Sequence, residues 1–135
     1  MRRVVYDLNV ILDVLLKREP FFSASARALD AAGRGAVEGF IAGHSVATLH
    51  YVLRRCVGDR KARLLMSELF QRLIVAPVSD AGVRRALESP VEDFEDSLVS
   101  AAAAEVNAAV IVTRNTSDFR RSSIPALLPE VFTAT

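Results

Sequence analysis

The side chains that could do chemistry in this chain are carboxylates set far apart in sequence. One group lies in residues 91–119, VEDFEDSLVSAAAAEVNAAVIVTRNTSDF, which opens with Glu92, Asp93, Glu95 and Asp96 and closes on a polar loop holding Asn115 and Asp118. The other is Asp7, directly after the short run Arg3-Val4-Val5-Tyr6. Carboxylates held within a few ångströms of one another repel, and unless a cation neutralises them at least one is driven to keep its proton. Donors that are all oxygen suit Mg2+ or Mn2+ rather than zinc. Asp7, Asp93, Asp96 and Asp118 are therefore the candidate metal ligands, and Asp7, Asp96 and Asp118 the candidate catalytic residues.

Such chemistry requires elements that bring the two ends of the chain together. On a helix, Asp93 and Asp96 are three residues apart and share a face, with Ser97 and Ser100 following on the same side. The run AAVIVT, residues 108–113, is apolar and β-branched enough to predict a buried strand of a parallel sheet. Asp118 then leaves the carboxyl end of that strand. Leu8-Asn9-Val10-Ile11-Leu12 turns straight into a helical pattern, so Asp7 also stands at a strand's carboxyl end. In open α/β sheets that edge is where ligands bind. Each acid has a local use as well: Asp7 or Asn9 can cap the first helix, Asp93 the acidic one, and Asp118 can shape its loop. Their joint placement counts for more, because unrelated caps need not all fall at strand ends on one side of a sheet.

Between these ends, helices are predicted over residues 10–17, from Ser23 or Ser25 through Ala31, over 45–56, over 60–72 and from Asp80 to about Glu88. Strands are predicted at 38–42 and 73–76, and the chain after Phe119 reads as an extended stretch followed by a helical turn at 129–132. Strands alternating with helices give an α/β fold, a three-layer α/β/α sandwich around a mainly parallel sheet of four to five strands. The 135 residues fit a single domain.

Composition narrows the function classes. With 51% hydrophobic and 24% charged residues the chain is a folded one rather than a disordered one. Its apolar runs fall well short of the ~20 residues that cross a bilayer. Only two apolar residues follow Met1-Arg2-Arg3 before Tyr6-Asp7, so no signal peptide is expected and the location expected is cytoplasmic. The single cysteine, Cys56, is expected to pack in a helix as a small hydrophobe. A net charge of +1 gives no global pull on nucleic acid. Yet all but two of the 17 basic residues are arginine, grouped at Arg54-Arg55, Arg60-Lys61-Arg63, Arg84-Arg85 and Arg114/Arg120/Arg121. Arginine's fork suits phosphate oxygens, and solvated helix faces are the competing use.

Three segments carry a family likeness. Val5-Tyr6-Asp7-Leu8-Asn9-Val10-Ile11-Leu12-Asp13, then the run from Asp96 through Ser97, Ser100 and Ala104 to Glu105, then Ile111-Val112-Thr113-Arg114-Asn115-Thr116-Ser117-Asp118-Phe119 together resemble the PIN domain family, which includes the VapC-type toxin ribonucleases. The resemblance implies a compact α/β/α nuclease, usually dimeric, that cuts RNA with Mg2+ or Mn2+ held by acidic residues. It lays the family's first, third and fourth acids on Asp7, Asp96 and Asp118, and its polar site residues on Asn9, Thr113 and Asn115. It also implies a cognate antitoxin whose segment covers the cleft, commonly with an arginine among the acids. Arg114, beside the cleft, is the expected phosphate contact. A homodimer through the apolar helices of residues 52–69 is the assembly expected, with packing of those same residues into the core as the equal alternative.

The chain departs from the family at the second acid, usually a glutamate on the third helix. Here no acid stands between Glu38 and Asp59. Thr48 or His50 can face the cleft in its place, and Asp93, one turn before Asp96, can restore the charge. The leading expectation is a metal-dependent endoribonuclease acting on single-stranded RNA, with no role at a membrane. The alternative is a catalytically impaired module on the same fold that binds RNA or a partner protein without cleavage. A haloacid-dehalogenase-like phosphatase would want a second aspartate where Asn9 stands, and a receiver domain a lysine after a late strand, where none exists.

Overall fold

The computed structural model describes residues 1–132, and its elements run β1 (Arg3–Tyr6), α1 (Leu8–Leu15), α2 (Phe22–Gly33), β2 (Glu38–Ala42), α3 (Gly43–Val57), α4 (Asp59–Leu69), β3 (Leu73–Ala76), α5 (Asp80–Leu87), α6 (Phe94–Glu105), β4 (Val110–Val112), a 3-10 turn (Thr116–Phe119) and β5 (Ala126–Leu127). All strand pairings are parallel, in the order β3-β2-β1-β4-β5. This is the expected α/β architecture, with five strands. Among the described residues no helix is long and apolar enough to cross a membrane.

Side-chain alternation on the central strands builds a core on each face of the sheet. Val4 and Tyr6 of β1, with Val110 and Val112 of β4, pack against α1, α2, α3 and α4 through Val10, Ile11, Ala28, Leu29, Leu49, Leu53 and Ala62. Val5 and Ile111 point the other way, onto Val99, Ala102 and Ala103 of α6 and onto Phe119. The alanine-rich sequence of α6 lets its backbone approach that face closely. Gly39 does the same on the first face: a β-carbon there would stand 2.6 Å from Ala32 Cβ and 2.7 Å from Leu73 Cδ2. Tyr6 is buried whole, its hydroxyl donating to the Ala28 carbonyl at 2.8 Å.

Several local expectations are revised. α2 has Phe21 at its N-cap without a side-chain cap, and Ser25 instead donates to Asp13 at 3.1 Å. α3 begins at Gly43 with no connecting loop after β2. Cys56 is exposed rather than packed, because the buried stripe of α3 runs through Leu49 and Leu53 toward Val57 and Cys56 falls to one side of it. In α4, where the apolar spacing predicts Leu64, Leu65, Leu69 and Phe70 facing inward, Leu69 is buried but Leu64 is exposed.

The strand order creates a place for a ligand. β1, β2 and β3 are laid outward to one side, and the chain then returns past β1 to place β4 on its other flank. The direction of winding reverses between β1 and β4, and a crevice opens outside their carboxyl ends, the general ligand position of such sheets.

Candidate active site

Asp7 is the first residue beyond β1 and serves two structures at once. Its Oδ1 accepts from the Leu8 N–H at 2.9 Å, capping α1, and its Oδ2 accepts from the Thr113 hydroxyl at 2.8 Å and from Asn9 Nδ2 at 3.4 Å. Thr113, fully buried just past β4, is held in turn by the Asn115 N–H, which donates to its Oγ1 at 3.0 Å. Asn9 closes the network by accepting from the Arg114 N–H at 3.3 Å. Asp7 and Thr113 thus tie the ends of β1 and β4 together across the crevice, and the Asp7 N–H donates to the Val112 carbonyl at 2.9 Å.

The other acids form one wall of the adjoining cleft. Asp93 is the N-cap of α6, its Oδ1 accepting from the Asp96 N–H at 3.0 Å. Asp96 follows in the first turn, where the positive end of the helix favours negative charge. The cleft is lined by Pro90, Val91, Glu92, Asp93, Asp96, Ser117, Asp118, Arg120 and Arg121; Asp7 is not in its lining, though its charge acts on Asp96. Burial, and after it the charges of Asp7, Asp93 and Asp118, push the Asp96 carboxyl up to about 7. Asp7 is likewise raised by burial, partly offset by the Thr113 hydroxyl and the Leu8 N–H, with the Asp118 charge raising it further.

These carboxylates therefore sense one another, and among the described residues no salt bridge reaches Asp7, Asp96 or Asp118. Nor do any three Asp, Glu, His or Cys side chains of the described residues stand close enough to make a ready ligand set. Like carboxylates repel one another, and a bound cation would offset that repulsion. The donor chemistry, uncompensated carboxylate oxygen, fits a hard divalent ion.

Other expected site residues lie elsewhere. His50 turns toward α4, its Nε2 2.8 Å from Asp59 Oδ1, and Thr48 is exposed without lining the cleft. Arg114 is not an open phosphate contact. Its Nε and Nη2 donate to Asp13 at 2.8 and 3.3 Å, and its guanidinium lies 3.9 Å from the Phe21 ring centroid. The basic residues at the cleft are Arg120 and Arg121, from the same sequence group. Arg34, Arg63 and Arg84 each pair with an acid four residues earlier on their helix.

Two residues escape a reading of the sequence. Asp13, wholly buried, accepts from Arg18, Arg114 and Ser25. His44, in the first turn of α3, reaches across to α6, its Nε2 3.1 Å from the Glu95 carbonyl. Burial holds the imidazole below its usual pKa against the opposing pull of Glu95 and Asp7. The signal that could have found His44 is its place two residues after the apolar run Phe40-Ile41-Ala42, at the carboxyl end of a predicted strand.

The raised carboxyl has a measurable consequence for the metal-free protein. Folded Asp96 keeps its proton to about pH 7 and unfolded Asp96 loses it near 3.8, so the native state binds more protons between those values. Its contribution to stability is complete below the lower value and is lost as pH rises through the upper one. Asp96→Asn should flatten that decline and leave the chelator-treated variant more stable than wild type at pH 8. Asp96 is partly open to solvent, so the screened gain is on the order of 1 kcal/mol. Thermal melts of both proteins at a series of pH values check it; parallel curves would contradict it.

A family model described as PIN domain matches residues 3–117. No curated protein matches the chain. Among solved structures it is similar to a chain of the VapBC2 assembly of Rickettsia felis bound to a promoter DNA fragment, at TM-score 0.74 and 16% identity over 93% of this chain and 98% of that one. A chain of the DNA-bound VapBC of Salmonella typhimurium aligns at TM-score 0.72 and 16% identity, covering 96% of this chain and 99% of the other. A chain of a toxin-antitoxin complex from Klebsiella pneumoniae aligns at 0.71 and 19% identity, covering 93% and 97%.

Proposed function

The chain belongs to the PIN domain family, and we propose that it is a divalent-cation-dependent endoribonuclease of single-stranded RNA, the toxin of a toxin–antitoxin pair. PIN domains are generally nucleases, and those nucleases generally use divalent metal ions. The observation that supports the reading is that Asp96 lies within reach of the charges of Asp7 and Asp118, at the carboxyl edge of the sheet, and that no salt bridge among the described residues reaches any of the three. Asp7, Asp96 and Asp118 would hold Mg2+ or Mn2+, with Asp93 adding charge from the cap position. When bound, such a cation makes water more acidic and offsets negative charge on the phosphate.

The chain's own groups do the rest. Thr113 and Asn9 orient the Asp7 carboxylate by donating to its Oδ2. The Asn115 N–H fixes the Thr113 hydroxyl, so the loop bearing Asp118 is referred to the same point. Arg120 and Arg121 on the rim are suited to hold the RNA backbone, the role that Arg114, engaged by Asp13, does not fill. The partners proposed are a cognate antitoxin, as in the complexes this fold resembles, and a second copy of the chain.

One observation favours a second reading, a module that binds RNA or protein without cutting: α3 carries no carboxylate toward the cleft. The two part company when a mixed-sequence single-stranded RNA is incubated with the protein and Mn2+, Mg2+ or chelator. Cleavage that needs the metal and fails in Asp96→Asn supports the nuclease. A folded protein that binds RNA and cuts nothing with either metal is the module.

A further inference from the structure

The face of α6 that begins with Asp93 and Asp96 continues with Ser97 and Ser100, and its two halves have different surroundings. The carboxylates line the cleft, whereas the serines line an adjoining groove between α6 and the end of α5, together with Arg85 and Glu88. Pro90 and Arg121 line both, so the groove is the cleft's neighbour along that helix. Its walls are pinned. Ser89 Oγ accepts from the Val91 N–H at 3.1 Å and fixes the bend around Pro90. Ser100 Oγ lies 2.6 Å from Ser122 Oγ, which also accepts from the Ile124 N–H at 3.1 Å, so the segment that carries Arg121 is tied to α6.

Charge changes sign along this path. Beyond Asp96, α6 carries no acid before Glu105, and the groove receives Arg85 from α5 and Arg121 from the segment after the 3-10 turn. Among the described residues neither guanidinium makes an ion pair. Their sequence neighbours differ: Arg84 is held by Asp80 at 2.9 Å, and Arg120 stands 3.9 Å from Glu92. An unengaged guanidinium keeps its fork of donors for a phosphate. Glu88 is the acid in the lining of this groove, and it pairs with neither arginine. Carboxylates at one end and free guanidinium groups at the other suit successive phosphates of a single strand, the first met through a cation and the next met directly. A small anion would need only the second half, so the continuity of groove and cleft points to a polymer.

We infer that the groove between α5 and α6 receives the flank of a single-stranded RNA whose reacting phosphate lies at the carboxylates, with Arg85 and Arg121 holding phosphates of that flank. This rests on the reading of the cleft as a site that acts on RNA. Glu88 then works against binding and limits how tightly the flank is held.

Fluorescence anisotropy of a labelled mixed-sequence RNA of about 12 nucleotides tests the assignment over a range of salt concentrations. The proteins are the wild type, Arg85→Gln, Arg121→Gln, Glu88→Gln and Arg84→Gln, each in chelator and, with Asp96→Asn added to prevent cutting, in Mn2+. Arg85→Gln and Arg121→Gln are expected to weaken binding about 5- to 10-fold and to lower the salt slope by about 0.7, the share of one phosphate contact on a single strand. Glu88→Gln is expected to tighten binding, a gain that loss of fold cannot imitate. Arg84→Gln, also on exposed α5 surface but paired with Asp80, is expected to bind like wild type. If Arg85→Gln binds like wild type, or Arg84→Gln weakens binding as much as Arg85→Gln does, the groove is not the path of the strand, although RNA binding stands. RNA bound in neither condition also overturns the assignment; cutting of the same RNA by wild type with Mn2+ would then leave the reading of the cleft in place, and no cutting would remove both.

Discussion

Asp7→Asn should lower the rate of RNA cleavage at saturating Mn2+ by about 10³-fold, roughly 4 kcal/mol of transition-state stabilisation, while leaving the fold intact. The substitution is nearly isosteric. Asparagine keeps an oxygen for the Leu8 N–H and so still caps α1. The Thr113 hydroxyl, which can donate or accept, still has a partner. What is lost is one unit of negative charge at the point where β1 and β4 meet, and with it affinity for a cation. Burial already disfavours the Asp7 carboxylate, so the metal-free variant should be no less stable than wild type at neutral pH. Single-turnover cleavage with thermal melts alongside separates the two effects. A variant that melts like wild type and cuts like wild type would remove Asp7 from the chemistry.

Asp13→Ala should be the most destabilising exchange of a charged residue, at about 3 kcal/mol, or roughly 10 °C in the melting midpoint. The Asp13 side chain is completely buried and receives Arg18 Nε at 3.1 Å, Arg114 Nε at 2.8 Å and Ser25 Oγ at 3.1 Å. Without it two guanidinium groups face each other and a buried hydroxyl has no acceptor. Arg18 and Arg114 are partly exposed and can turn to water, which keeps the cost at the low end for a broken buried pair. Asp13→Asn restores the bond from Ser25 but not the charge, so it should recover only part of the loss. Urea denaturation reads both variants; a midpoint within error of wild type would show the cage contributes nothing net. Cleavage should weaken as well, because Arg18, held by Asp13, also donates to the Asn9 carbonyl at 3.2 Å.

The parts of this molecule legible from sequence are those set by near neighbours in the chain. An apolar run ending in an acid and passing at once into a helical pattern places Asp7 at a strand end, and no distant residue can change that. The same logic serves Asp96 and Asp118. Arg114 is misjudged from sequence because its partner is remote: Asp13 lies 101 positions earlier, and nothing local marks either residue as half of a pair. His50 fails differently. α4 doubles back at Gly58, whose φ of 86° suits glycine, and brings Asp59 onto the imidazole. His44 is given no place at the cleft because a helix expected to begin at residue 45 leaves the histidine with no assigned direction. The parallel sheet of β1 to β4 follows from strands alternating with helices, whereas the two-residue β5 is too short for periodicity to reveal.

The pairing of β1 with β4 also governs when the site can exist. Val4 pairs with Gly39 and Gly39 with Leu73, contacts available early to a growing chain, but Val4 meets Val110 only after most of the sequence has been made. The bond from Thr113 to Asp7 spans 106 residues. Closing so long a loop is the slow step of a parallel sheet, because chain entropy is lost before any contact offsets it. A chain ending before β4 carries Asp7 and the residues of β1, β2 and β3, yet it lacks the Thr113 hydroxyl and the Asp118 carboxylate. The site is thus completed last: whatever chemistry the cleft performs waits on the docking of β4 and of the loop that follows it.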